Sequence, residues 1–269
     1  MRVLLVVFFC GSALNLAFAQ PGVQGAGQYP QFRNLSGLPG AGFGVMPDGR
    51  LSSHGALAYS TPVAYSMRGW DIVLGATNVS NTMRLSILKD DNGLFFDGNE
   101  GNGTLQMLVG ISLGDYGNAT FSHLILSSFM DSAQSLHWSP PRQHGAVRFG
   151  IGVQDMTGQG SATGDGLPGD EGNSRSYYAV GTWDAGAGTF MSLGTGDTRF
   201  KPIFGSVSFA VGERVKAFGE YEAYHWNYGF AFDAGKLLGS VRAGRATSTT
   251  IMLGAVKGKY AYWSVSVGF

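Results

Sequence analysis

From about residue 53 onward, apolar and polar residues alternate in short runs broken by Gly, Asn and Asp. A period of two sends successive side chains to opposite faces, so each run predicts a β-strand. The last run is the clearest. Ala261, Trp263, Val265, Val267 and Phe269 share one face, and Tyr260, Tyr262, Ser264, Ser266 and Gly268 share the other. Val147, Phe149, Ile151 and Val153 alternate with Arg148, Gly150, Gly152 and Gln154. Trp70, Ile72, Leu74 and Ala76 alternate with Asp71, Val73, Gly75 and Thr77, and Ile203, Val207, Phe209 and Val211 oppose Ser206 and Ser208.

Read this way, the chain predicts strands near 53–65, 68–77, 83–89, 104–113, 119–128, 145–154, 176–184, 188–195, 202–211, 215–223, 227–233, 236–245, 248–256 and 259–269. That is about fourteen, within a range of about twelve to sixteen, because 36–46 also reads as a strand and 119–128 alternates poorly. Residues 20–40, rich in Gly, Pro and Gln, read as a flexible linker. Long connections of a barrel face away from its termini. Loops 90–103 and 129–144 obey that rule, but the Gly-rich 156–175 loop falls on the wrong side.

The polar faces decide the environment. They carry Gly, Ser, Thr and Tyr instead of the Lys and Glu of a water-facing sheet, which suits a crowded lumen. Trp70, Trp183, Tyr221, Tyr228 and Trp263 sit where interfacial girdles are needed. Composition agrees: 13% of residues are charged, against about 25% in soluble domains. Glycine accounts for 43 of 269 residues while aromatics reach 13%, which excludes simple disorder. No later run of 18 apolar residues exists, so a spanning chain must close its sheet to satisfy every backbone group. The predicted fold is all-β: a transmembrane, antiparallel, up-and-down β-barrel over residues 41–269. A soluble domain that ends in a strand is the competing reading.

Residues 1–19 read as a signal peptide. Met1-Arg2 starts it, Val3 to Phe9 is apolar, and Ala17-Phe18-Ala19 is a cleavage site. Cys10 lies inside that signal, so the mature chain holds no cysteine. The expected location is the outer membrane of a Gram-negative-type bacterium. The ending Val265, Val267, Phe269 resembles the signal read by the outer-membrane assembly machinery. Lipid and that machinery are the expected partners. With 18 basic and 18 acidic residues, charge gives no reason to expect nucleic acid.

Gly150-Ile151-Gly152-Val153-Gln154-Asp155-Met156-Thr157-Gly158 resembles a stretch of the YjbH-like outer-membrane proteins. Phe204-Gly205-Ser206-Val207, Phe218-Gly219-Glu220-Tyr221-Glu222 and Asn227-Tyr228-Gly229-Phe230 are similar to that family's later motifs. The likeness covers residues 145–233, although the chain is shorter than typical members and 159–175 interrupts the pattern. It implies a role in exopolysaccharide export or surface assembly, with polysaccharide or periplasmic export proteins as partners.

The charged candidates for the lumen are Asp71, Arg84, Arg148, Lys216, Glu220, Glu222, Lys236 and Arg242. Glu220 and Glu222 share a strand face with Lys216. Cross-lumen pairing explains them better than glycoside hydrolysis, because a buried charge needs a partner whatever the function. His137-Trp138-Ser139 resembles the His/Ser pair of outer-membrane lipid hydrolases, but Pro140-Pro141 place it in a loop. His54, His123, His144 and His225 lack metal-ligand spacing, Gly164–Gly172 lacks the calcium-loop pattern, and no cofactor is implied. The leading reading is therefore a non-enzymatic barrel serving exopolysaccharide export. The alternatives are a lipid hydrolase using His137 and Ser139, and a small-solute porin. The mature chain refolded in detergent is expected to migrate differently on a gel before and after boiling; a β-rich protein soluble without detergent would exclude the barrel.

Overall fold

The computed structural model describes residues 35–80, 101–125, 132–141, 145–158, 175–235, 248–258 and 260–269. Among them twelve strands close into one antiparallel barrel, each paired with its sequence neighbours, and the first pairs with the last. They are β1 (Ile72–Ser80), β2 (Gly101–Ser112), β3 (Asn118–Ile125), β4 (Ser132–Ser139), β5 (Val147–Gln154) and β6 (Ser176–Gly186), followed by β7 (Thr189–Gly196), β8 (Phe204–Gly212), β9 (Val215–Tyr221), β10 (Trp226–Asp233), β11 (Ser248–Val256) and β12 (Tyr260–Gly268). Closure runs through Val73 opposite Gly268 to Val79 opposite Tyr262. Phe269 and Ile72 exchange backbone hydrogen bonds at the rim.

The strand faces are those the alternation predicts. On β12, Tyr262, Ser264, Ser266 and Gly268 are buried, while Trp263, Val265 and Val267 are less so. The outward face is a continuous apolar band: Leu193 is 62% exposed, Phe149 61%, Ile151 51% and Phe230 51%. A patch of this size on a water-facing protein would drive association, whereas lipid is its natural solvent. Aromatic residues mark both edges. Trp183 and Trp138 lie toward the end that carries β12's terminus, with Trp138 Nε1 donating to the Tyr116 carbonyl at 2.7 Å. Tyr177 and Tyr228 lie toward the opposite end.

The number of strands sits at the lower bound of the expected range, and the differences have physical causes. Residues 53–65 form no strand; they lie in the lumen with the rest of 35–71. An apolar run buried on all sides looks the same in sequence whether or not it joins a ladder. Conversely, β4 falls where a loop is predicted. Polar residues stand on both of its faces, Ser135, His137 and Ser139 inward and Ser132 and Gln134 outward, so its alternation is muted. The predicted strands 83–89 and 236–245 and the signal peptide lie outside the described residues. With five strands through β5, Gln154 and Ser176, the strand ends that the 155–175 connection joins, lie at the end of the barrel opposite the C-terminal Phe269, as do the ends of β1 and β3. The misplaced loop of the sequence reading is thereby resolved.

The chain passes from lumen to wall through Trp70, whose φ of 71° lies in the left-handed region that L side chains rarely adopt. Trp70 N donates to the Gly110 carbonyl, and Gly110 N to the Asp71 carbonyl. Gly110 must be glycine because a Cβ there would run into the Arg68 carbonyl. One seam is short: β4 and β5 share three residue pairs, Leu136–Val153, His137–Gly152 and Trp138–Ile151.

Leu193 lies opposite Gly181, near the middle of β6. Leu193→Arg is expected to lower the unfolding free energy in lipid vesicles by about 2–4 kcal/mol. In a water-facing position the same exchange would be close to neutral, and denaturant titration in vesicles distinguishes the two.

Candidate functional site: a lumen filled by the chain's own N-terminal segment

Residues 35–71 occupy the barrel interior. Their internal pairing is slight, with isolated bridges between Ala41 and Ala58, Val45 and Leu51, and Val45 and Ala56. Two apolar clusters seat the segment. Leu38, Phe43, Val45 and Met67 pack on Leu108, Val180, Phe190 and Phe204 of the wall. Leu35, Leu57 and Tyr59 pack on Val79, Phe218, Met252 and Tyr262.

A segment without a ladder still has to satisfy its backbone amides. Carbonyls of the segment itself take many of them, as from Gly42, Val45, Ala56, Ala58 and Val63, and side chains of the wall take others. Leu57 N donates to Ser208 Oγ (3.3 Å), Ala64 N to Thr182 Oγ1 (2.8 Å), Ser66 N to Ser139 Oγ (2.8 Å) and Met67 N to Thr120 Oγ1 (2.8 Å). In the other direction, Gln106 donates to the Ala41 carbonyl, Gln154 to that of Ser36, and Lys216 Nζ to those of His54 and Gly55. Lys216 also stands 4.8 Å from the Phe190 ring centroid.

Glu220 is the centre of the arrangement. Its carboxylate accepts the amides of Tyr59 (3.1 Å), Ser60 (2.9 Å) and Thr61 (3.0 Å). It also accepts the hydroxyls of Ser60 (2.8 Å) and Thr61 (2.9 Å) and the Asn227 amide (2.7 Å). Three successive amides converging on one anion form a nest, in which charge-assisted hydrogen bonds are stronger than neutral ones. Ser60 Oγ also donates to Glu222 (2.9 Å), which faces Arg199 at 3.6 Å and His225 at 3.0 Å. Arg199 is buried and donates to Gln154 Oε1 at 3.0 Å.

Lys216, Glu220 and Glu222 are each buried on the inner side of the wall, Lys216 against the His54 and Gly55 carbonyls and the two glutamates around Ser60. Their main partner is the inserted segment, not one another. Arg84 and Arg242 lie outside the described residues. Arg199, Gln154 and Gln106 were not legible as site residues: Arg199 sits in a connection, and the two glutamines look like ordinary lumen-facing positions.

His137 and Ser139 are not in a loop. They occupy the inward face of β4, with Ser139 Oγ 3.4 Å from His137 Nε2. Ser139 Oγ donates to the Ala64 carbonyl at 2.6 Å, and His137 Nδ1 lies 2.8 Å from Tyr178 Oη. The hydroxyl hydrogen is thus committed to the inserted segment, and the pair faces the lumen instead of the lipid. Gly150 sits beneath it, where a Cβ would meet the His137 ring and the Ala64 carbonyl.

Arg148 lies at the end of the lumen that carries the C-terminus and the start of β1. It lines a cavity of about 210 Å³ with Asp48, Tyr65, Ser66, Asn118 and Ser139. Burial alone would raise the Asp48 carboxyl. Hydrogen bonds from Arg50 and the charges of Arg50 and Arg68 outweigh it and hold the group below the ordinary aspartate value. Burial pushes the Tyr65 hydroxyl well up, so it remains an O–H donor.

A closed β-barrel with a lipid-facing apolar band is an outer-membrane barrel, and that is the class to which this chain belongs. No family model matches the chain, and no curated protein matches it either. Among solved structures it is similar to the KdgM porin in complex with disordered oligogalacturonate, at 8% identity and a TM-score of 0.46, covering 74% of this chain and 98% of that one. It is also similar to an outer membrane channel from Pseudomonas putida F1 (9%, TM-score 0.39, covering 76% and 96%) and to the NanC porin (9%, TM-score 0.38, covering 74% and 98%).

The YjbH-like resemblance is corrected by these findings: no family model and no curated protein matches the chain, so nothing supports it. Its motifs have a local cause. Gly150 and Gly152 lie on β5, where the His137 and Tyr178 rings come close, and Phe218 to Glu222 include the carboxylates that hold the lumen segment. The exopolysaccharide role rested on that resemblance and goes with it.

Glu220→Ala is expected to leave three amides without an acceptor, weakening the docking of 59–61 by about 2–4 kcal/mol. Hydrogen exchange at Tyr59, Ser60 and Thr61 should then accelerate on the order of 10²-fold. Ser208→Ala should affect Leu57 alone.

Proposed function

We propose that the protein is a small-solute channel of the outer membrane whose lumen is closed by its own residues 35–71 acting as a displaceable plug. The observation that carries this reading is the way the segment is held. It shares no ladder with the wall beyond its exit at Trp70–Asp71, and the amides it gives to the wall, from Leu57, Tyr59, Ser60, Thr61, Ala64, Ser66 and Met67, bond to side chains lining the lumen. Water or a polar solute can take over each of those hydrogen bonds. The vacated wall would present Thr77, Gln106, Thr120, Thr182, Lys216 and Glu220 to the lumen.

Export through a signal peptide cut after Ala19, and delivery by assembly machinery reading Val265, Val267 and Phe269, belong to the same proposal. In that orientation the C-terminus and the Arg148 cavity face the periplasm.

Conductance in planar bilayers tests the channel. Ser66 Oγ and Ser139 Oγ are 2.9 Å apart, so the pair Ser66→Cys/Ser139→Cys is placed for a disulfide between plug and wall. The wild-type chain is expected to open rarely, the oxidised double variant not at all, and reduction should restore the openings. Glu220→Ala should raise the open time about tenfold or more. A folded, heat-modifiable Glu220→Ala barrel that never conducts would sink the reading.

A further inference from the structure

The plug does not serve the wall evenly. On β3, β4, β6 and β8 the hydroxyls of Thr120, Ser139, Thr182 and Ser208 accept plug amides. On β11, β12 and β2 a second set goes without. Thr250 Oγ1, Tyr262 Oη, Ser264 Oγ, Ser266 Oγ, Thr104 Oγ1 and Gln106 Oε1 are buried with no hydrogen-bond partner among the described residues. Each dry group is a cost to the docked state, so this side of the wall gains from a different occupant.

The barrel's register draws these groups into one strip. Thr250 stands opposite Ser266, Ser266 opposite Gly75, and Gly75 opposite Gln106. A Cβ on Gly75 would lie 2.8 Å from both Ser266 Oγ and Gln106 Nε2, so the two side chains reach over it. The next row, further from Phe269, runs through Ser264, Thr77 and Thr104. Tyr262 follows one row on, opposite Gly254. Successive rows on one face are about 7 Å apart.

Tyr262 lies flat against the wall. A Cβ on Gly254 would meet its Cε1 at 2.8 Å and one on Gly229 its Oη at 2.9 Å, so the ring spreads over two glycines of neighbouring strands. Its other face is covered by Tyr59 of the plug, with ring centroids 3.9 Å apart, and Tyr59 Oη reaches Thr77 Oγ1 at 3.3 Å. The plug thus places one six-membered ring and one hydroxyl on this platform. The strip is closed to solvent while Tyr59 sits there and opens only when the plug withdraws.

Charge narrows what can replace Tyr59. The strands β11, β12, β1, β2 and β3 contain no Asp, Glu, Lys or Arg on either face. The charged residues within the strands are Arg148, Asp184, Lys216, Glu220 and Asp233, all on β5, β6, β9 and β10. In the plug, Asp48, Arg50 and Arg68 pair with one another. Glu220 stands beside the platform, because it holds the Tyr59 amide. An ionic group moved onto the strip would therefore lose its hydration with little to replace it. Hydroxyls both donate and accept, so a solute rich in hydroxyls can satisfy the whole row.

We propose that this strip binds neutral, hydroxyl-rich solutes: a saccharide ring takes the place of Tyr59 on Tyr262, and its hydroxyls bond to Thr77, Thr104, Ser264 and Ser266. The selected solutes are then uncharged sugars, an inference that rests on the channel reading above.

The test uses the full mature chain carrying Glu220→Ala, the variant with longer openings, in planar bilayers with sugars added to a potassium chloride bath. With Glu220 gone, neither charged sugar finds a counter-charge on this side of the lumen. Glucose is expected to interrupt the open-channel current saturably. Glucuronate and glucosamine, the same ring with a negative or a positive charge, should do so about tenfold more weakly. Adding Ser264→Ala and Ser266→Ala should weaken the glucose block about tenfold while leaving the sugar-free thermal stability equal or higher, which a purely structural pair would not do. Should that variant fail to fold, the three sugars decide alone. Conductance without a saturable glucose block, a tighter block by either charged sugar, or a glucose block unchanged in the serine variant would each overturn the strip and leave the channel standing. A barrel that never conducts removes both readings.

Discussion

A lumen twelve strands around has to be filled or flooded. Eight-strand barrels close on their own side chains, and barrels of sixteen or more hold water. At twelve, side chains from opposite walls do not meet across the centre, so a stretch of chain enters between them. Polypeptide brings amides and carbonyls with it, and these need partners wherever water is excluded. That single need accounts for the inward Thr120, Ser139, Thr182, Ser208, Gln106 and Gln154, for Lys216 beneath the His54 and Gly55 carbonyls, and for Glu220 beneath three successive amides.

The wall consequently has three kinds of surface. Outside, Leu193, Phe149 and Phe230 meet lipid. Inside, hydroxyls and carboxylates sit opposite the plug's backbone, while Val180, Phe204 and Tyr262 sit opposite its side chains. Where plug backbone approaches too closely for any side chain, glycine takes over, as at Gly110 and Gly150. Buried charge follows the same logic. Glu222 stands between Arg199, His225 and a plug hydroxyl, so neither carboxylate is left to water or to apolar neighbours.

The lipid side was legible in the sequence because lipid imposes a strict rule on every second residue. The alternation in β5, β8 and β12 assigned inward and outward residues correctly. The lumen side obeys a looser rule, since hydroxyl, amide, glycine and aromatic residues all serve against an inserted chain. This is why β4, with Ser135, His137 and Ser139 inward, read as a loop. It is also why 53–65 read as a strand: Ala56, Leu57, Ala58 and Tyr59 are apolar and buried, but Leu57 and Tyr59 give their amides to wall side chains and Ala56 and Ala58 to carbonyls within the plug, partners that no local pattern announces. Charge position was legible and charge partnership was not. Lys216, Glu220 and Glu222 were visible as a cluster, yet their partners lie some 160 residues earlier in the chain.

The plug enters the wall directly, with Trp70 and Asp71 bonded to Gly110 and Ile72 already in β1. In the channel proposed above, a displaced plug would not diffuse away. It remains on a short leash, at an effective concentration in the millimolar range at its own binding site. Closure is then a unimolecular event, indifferent to how many copies of the protein the membrane holds. Any solute that keeps the lumen open has to outcompete a neighbour that never leaves.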